Sequence, residues 1–134
     1  MTIDLKKYVE FVDVTTSQPS KQYSDFTNRL QELESNGFPT ERLLTAAVGM
    51  SAEAGEFTEI VKKIIFQGKP VTEENLFHLK RELGDVMWYV SQACLGLDIS
   101  IEEVIQMNFE KLSARYPEGA FSIERSENRV EGDL

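Results

Sequence analysis

Residues 40 to 95 admit one economical arrangement: two long amphipathic helices folded back on each other about Gly68-Lys69-Pro70. In the first, Leu43, Ala47, Met50, Ala54, Phe57, Val61 and Ile64 recur every three or four residues, the period of a helix with one apolar side. Thr40 is placed to cap it and Gln67-Gly68 to end it. Gly-Lys-Pro is strong punctuation. Thr72 then caps a second helix running to about Leu95, with Gly96 and Asp98 closing it. A connection this short makes the two helices antiparallel neighbours. Residues equidistant from Lys69 should then face each other.

The remaining elements are also helical. Residues 4 to 14 place Leu5, Tyr8, Val9 and Val12 on one side, and residues 21 to 35 place Tyr23, Phe26, Leu30 and Leu33 in register. Asn36-Gly37 stops the latter. Ser100 and Glu103 form a capping-box pattern that opens a helix reaching about Tyr116. Beyond Pro117 the chain is polar and without period. No strand pattern competes. The expected fold is therefore all-α, a bundle of about five helices around a long central antiparallel hairpin. It forms a single domain over residues 1–134, with an N-terminal helix or arm at 1–18 and a polar tail at 117–134.

The second hairpin helix is apolar on two sides. Leu83, Val86, Met87, Val90 and Cys94 make one stripe, and Phe77, Trp88 and Leu95 make another. Such a helix must be covered on both sides, and a chain of 134 residues has little material for that. The expectation is a homodimer or homotetramer that supplies the second cover. The alternative cover is the chain's own N-terminal helices.

Acids interrupt this apolar pattern at particular places. With Met50 at zero, Glu53 falls near −60° on the first helix, inside the apolar arc, and Glu56 near −120°, at its edge. On the second helix, Glu82 and Asp85 again lie three apart on one face. Glu56 and Glu82 are each 13 residues from Lys69, and Glu53 and Asp85 are each 16. All four should lie at one level, about 20 Å up the hairpin at ~1.5 Å per residue. Four carboxylates held together repel and raise one another's pKa values. A divalent ion resolves that, and an all-oxygen set suits Mg²⁺, or Mn²⁺. Spacing alone leaves a second reading, surface carboxylates paired with lysines. A di-iron bundle fits less well, because its Glu-x-x-His pattern meets Glu56 and Asp85 at the third position.

Charge and composition exclude several classes. The net charge is −9, so nucleic-acid binding through bulk basic surface is not expected. No apolar run approaches membrane-spanning length, and the N-terminus lacks a signal-peptide core. The lone Cys94 permits no intrachain disulfide, and a reducing, cytoplasmic location is expected.

Cations are sparse but placed. Lys63 falls beside Glu56 on the wheel, within reach of a triphosphate or of a salt bridge to Glu59 or Glu56. In the last long helix, Asn108 follows Ile101, Val104 and Ile105 on the packed stripe, with Lys111 and Arg115 on a neighbouring line. Together they are suited to phosphate or sugar.

The pattern E-x-x-E, 25 residues, E-x-x-D resembles the all-α nucleoside triphosphate pyrophosphohydrolases, which include the MazG proteins and the dimeric dUTPases. SAEAGEFTEIVKKIIFQGKP and LKRELGDVMWYV resemble the small single-domain MazG-like proteins, many of them phage-borne, and MNFEKLSARYP resembles the element that follows there. The likeness spans about residues 20 to 120. It implies metal ligands at Glu53, Glu56, Glu82 and Asp85. It also implies a nucleotide-facing Tyr89 and substrate contacts at Asn108 and Lys111. The implied reaction is metal-dependent hydrolysis of a (deoxy)nucleoside triphosphate to the monophosphate and pyrophosphate, with Glu56 as candidate base. The alternative is a non-catalytic helical module that binds nucleotide or another protein.

Overall fold

The computed structural model describes residues 3–128. Its helices are α1 (Leu5–Thr15), α2 (Tyr23–Ser35), α3 (Thr40–Gln67), α4 (Glu73–Leu97), α5 (Ile101–Arg115) and α6 (Ile123–Glu127), with a 3₁₀ turn at Gln18–Ser20. No strand occurs among the described residues. No described helix is long and apolar enough to cross a membrane. The chain divides into two compact units, Met1–Glu41 and Arg42–Leu134.

The first unit is held by local capping. Asp4 accepts hydrogen bonds from the Lys6 and Lys7 amides at 3.1 and 3.2 Å, satisfying two orphan donors at the start of α1. Lys21 Nζ donates to the Asp13 carbonyl at 2.7 Å and ties the 3₁₀ turn back to α1. α2 ends as its sequence indicates: Asn36 caps it, Gly37 takes φ +73°, and the Phe38 amide reaches back to the Leu33 carbonyl at 2.9 Å. Thr40 does not cap α3. It is the first helical residue, and its hydroxyl donates to the Phe38 carbonyl at 3.4 Å.

In the second unit, α3 and α4 run antiparallel about the turn at Lys69. Gly49 lies under the Tyr89 ring, and each is 20 residues from Lys69. Gly96 lies against Arg42 and Leu43, and Arg42 Nη1 donates to Gln92 Oε1 at 2.9 Å. The turn itself is clasped. Gly68 takes φ +71°, the Lys69 amide donates to the Lys63 carbonyl at 3.0 Å, and the buried Asn75 donates from Nδ2 to the Pro70 carbonyl at 2.8 Å. Thr72 caps α4 as expected, accepting from the Asn75 amide at 3.2 Å. α4 extends to Leu97, and Asp98 closes it in the left-handed conformation at φ 55°. Ser100 then caps α5, accepting from the Glu103 amide at 3.0 Å.

Two expectations need correction. The segment after Pro117 is not wholly irregular: Ser122 caps the five-residue α6, which brings the described helices to six. A helix this short spans less than two turns, so it leaves no periodic trace in the sequence. The packed side of α5 is also more open than its pattern implies, because Ile105 and Asn108 are exposed while Ile101 and Val104 are only partly buried.

The Gly49–Tyr89 contact sets how closely the hairpin closes. A methyl group on Gly49 would overlap the Tyr89 ring. Gly49→Ala is therefore expected to lower unfolding free energy by about 1–3 kcal/mol, the usual cost of overpacking. Denaturant titration checks this. In the Gly49→Ala/Tyr89→Ala double variant the two costs should not add, because each change relieves the other. Full additivity would mean that the contact does not govern packing.

Candidate metal and phosphate site

Three of the four predicted acids converge where the two long helices face each other. Glu53 on α3 and Glu82 and Asp85 on α4 each offer a carboxylate oxygen, all within 4.8 Å of one another. Glu53 and Glu82 are partly buried, whereas Asp85 is exposed. The helix spacing that aligns Glu82 with Asp85 combines with the hairpin register to bring Glu53 opposite both. The Gly49–Tyr89 packing one turn away holds that register.

Partial burial raises the Glu53 carboxyl above its ordinary value of 4.5. The negative charges of Glu56, Asp85 and Glu82 raise it further, as does a hydrogen bond with Glu82. The acids thus stand at the mutual cost that a bound cation would relieve. The donor set fits a hard divalent ion: the oxygens are all carboxylate and lie within 4.8 Å of one another.

Glu56 stands outside this three-acid group. It lines a neighbouring cavity of about 410 Å³ with Glu59, Lys63, Lys69, His78 and Glu82. Lys63 makes the salt bridge that its place on the wheel allowed. Its ammonium lies 2.7 Å from Glu59, and its side chain lines the same cavity as Glu56. The pair holds the Glu59 carboxyl below its ordinary range, through the hydrogen bond and charge of Lys63 and the added charge of Lys62.

The other predicted substrate residues lie elsewhere on α4 and α5. Tyr89 packs its ring on Gly49 and meets Trp88 edge-on, with ring centres 4.8 Å apart. Asn108 lines a separate cavity of about 420 Å³ with Ile105, Phe109, Leu112, Tyr116 and Phe121. Lys111 is partly buried. Arg115 is also partly buried, with its guanidinium 5.9 Å from the centre of the Tyr116 ring. Sequence reasoning overlooked Lys69 and His78 as cavity residues. Their signal was present: His78 stands four residues before Glu82, on the same helical line, and Lys69 is the pivot of the turn.

Comparison with known proteins identifies the family. The MazG nucleotide pyrophosphohydrolase domain matches residues 41–120, a span that contains every predicted site residue. The chain is also similar to "Gene 37 protein" of Mycobacterium phage L5. The two are 44% identical over 80 residues, which cover 59% of this chain and 70% of that protein. No solved structure matches. With the family match covering more than half its length and the paired acids placed within it, the chain belongs to the MazG nucleotide pyrophosphohydrolase family.

Proposed function

We propose that the protein hydrolyses a (deoxy)nucleoside triphosphate to the monophosphate and pyrophosphate with the help of Mg²⁺ or Mn²⁺. The observation that carries this reading is the meeting of Glu53, Glu82 and Asp85 across the hairpin, inside the span that matches the family. These three residues, with Glu56 at the border, would hold the ion. When bound, a divalent ion neutralises phosphate charge and acidifies water.

The chain's own residues supply the rest. Glu56 is outside the tight group but beside it, so it is free to orient a water and take its proton. As that proton passes to Glu56, a bond forms between the water oxygen and one of the two phosphorus atoms that flank the α–β bridge. The bond from that phosphorus to the bridging oxygen breaks, and the monophosphate and pyrophosphate part. Lys63, Lys111 and Arg115 would offset charge on the phosphate oxygens. Asn108 would contact the sugar or a phosphate, and Tyr89 would face the nucleotide. The net charge of −9 argues against nucleic acid as a partner. We read the chain as a cytoplasmic homodimer or homotetramer that does not engage membranes.

The test is a panel of ribo-, deoxyribo- and modified nucleoside triphosphates, assayed for pyrophosphate with and without Mg²⁺. Release from at least one nucleotide, abolished by chelation, is the expected result. If every nucleotide survives, the enzymatic reading fails. A chain that still binds nucleotide would then be a non-catalytic binding module.

A further inference from the structure

α1 carries an apolar stripe that its own unit leaves uncovered. Leu5, Tyr8, Val9 and Val12 recur at helical spacing and remain between 44% and 71% exposed, and no residue of α1 or α2 is buried. α1 also lies outside residues 41–120, the span that matches the family, so this stripe is no part of the matched domain. An exposed stripe does not by itself name its cover. The charges beside it do.

Those charges run the wrong way for a helix on its own. Lys6 and Lys7 stand in the first turn of α1 and Asp13 in the last, whereas the helix dipole favours acids at the start and bases at the end. Asp4 offsets part of this as the N-cap. Lys6 reaches Glu10 only at 4.0 Å, with lysine before glutamate, which is the weaker order. With Tyr8 at zero, the stripe spans about 0° to 100°, and Lys6 and Asp13 fall near 160° and 140°. Both therefore flank the stripe on one side, at opposite ends. One Asp13 oxygen lies 3.7 Å from Lys21, yet the side chain is 72% exposed and has room for a second cation. A two-fold axis between antiparallel helices brings like flanks together. Lys6 then meets the partner's Asp13, and the same pair recurs on the other side of the axis. A parallel pair would instead set lysine against lysine and aspartate against aspartate.

We propose that α1 pairs antiparallel with the α1 of a second copy of this chain, in a two-fold contact distinct from the second apolar stripe of α4. The axis passes between Val9 and Glu10, halfway from Lys6 to Asp13. Leu5, Tyr8, Val9 and Val12 of both copies fill the seam, and the opposed helix dipoles attract. Two helices of 11 residues make less than a standard interface. The contact therefore joins chains already associated through α4 rather than holding two chains alone. One two-fold contact makes a dimer, and two different ones on the same chain close a tetramer in which each occurs twice. This deepens the reading of the chain as a homo-oligomer and selects the tetramer, but it is carried by α1 and does not depend on the acids of the hairpin.

Sedimentation of the full chain at micromolar concentration, with disulfide cross-linking, tests it. The wild type should run as a tetramer. Lys6→Glu and Asp13→Lys each set like charges across the seam, and each should weaken the step from dimer to tetramer about 100-fold. The double variant Lys6→Glu/Asp13→Lys restores opposite charges and should return the tetramer. An unfolded α1 would not give this pattern: both changes place charge as the dipole favours, so circular dichroism should show no fall in helix content. Val9→Cys, beside the axis, should link two chains on oxidation. Leu5→Cys should not, because the two substituted positions stand about 13 Å apart at ~1.5 Å per residue, beyond disulfide reach. The wild type, whose one cysteine is the buried Cys94, is the control. If the single variants keep the mass of the wild type and Val9→Cys does not link, the α1 contact is overturned while association through α4 survives. A monomeric wild type overturns both. Linking of Leu5→Cys as readily as Val9→Cys overturns the antiparallel assignment.

Discussion

Glu53→Gln is expected to cut pyrophosphate release by at least about 100-fold, because even residues that merely orient metal ligands typically cost 10–100-fold when changed. The same substitution should leave the metal-free protein as stable as the wild type or more so. The sign follows from linkage. The folded-state pKa of Glu53 is raised, first by partial burial and then by Glu56, Asp85 and Glu82. A carboxyl raised in this way favours the fold while protonated, below its ordinary value of 4.5. That contribution is lost as pH rises through the elevated folded value. At neutral pH the ionised Glu53 therefore opposes folding unless a cation sits beside it. Glutamine keeps the shape and can still hydrogen-bond to Glu82, but it removes the charge. Thermal melts should thus show a midpoint that rises with Mg²⁺ for the wild type and stays still for Glu53→Gln. Asp85→Asn should lose the same response. A Glu53→Gln protein with normal turnover and a normal Mg²⁺ response would remove the metal assignment.

Much of this site was legible because a hairpin converts sequence distance into spatial distance. Once the pivot is placed at Lys69, Gly49 must meet Tyr89 and Glu53 must meet Asp85, and the structure brings both pairs together. Azimuth was less legible than level. Glu56 was assigned near the edge of the apolar arc, and it stands outside the three-acid group, lining the neighbouring cavity with Glu82. The wheel places Cβ atoms, whereas side-chain rotamers decide which oxygens meet. The role of Asn75 was hidden for a related reason. Its amide closes the turn on a backbone carbonyl five residues earlier, and such a local side-chain bond has no periodic trace. Lys69 was found as a pivot and missed as a cavity residue. A turn residue reads as punctuation until a cavity is seen beside it.

The second unit is incompletely covered by its own helices, and this leads to the largest expected effect on assembly. Among the described residues only Ala46 and Cys94 are fully buried apolar side chains, at 1% and 5% exposure. Cys94 belongs to the first stripe of α4, and the cavity beside it is walled by the start of α5, so that stripe is covered at one end. The second stripe is not. Phe77, Trp88 and Leu95 remain 58%, 53% and 66% exposed, and they fall within about 20° of one line along α4. Covering what is left of each would yield roughly 1–2 kcal/mol. Six such side chains across a two-fold contact then contribute on the order of 10 kcal/mol, comparable to the cost of bringing two chains together. The stripe is therefore large enough to decide whether a dimer forms. The wild type should sediment as a dimer or tetramer at micromolar concentration. Trp88→Glu combined with Leu95→Glu should weaken association by at least about 1,000-fold, since each copy would have to bury two unpaired charges. Lys62→Glu, on the exposed side of α3, should not alter the mass. A monomeric wild type whose tryptophan emission is that of a buried indole would refute the oligomer. It would instead assign the cover of this stripe to the chain's own N-terminal helices.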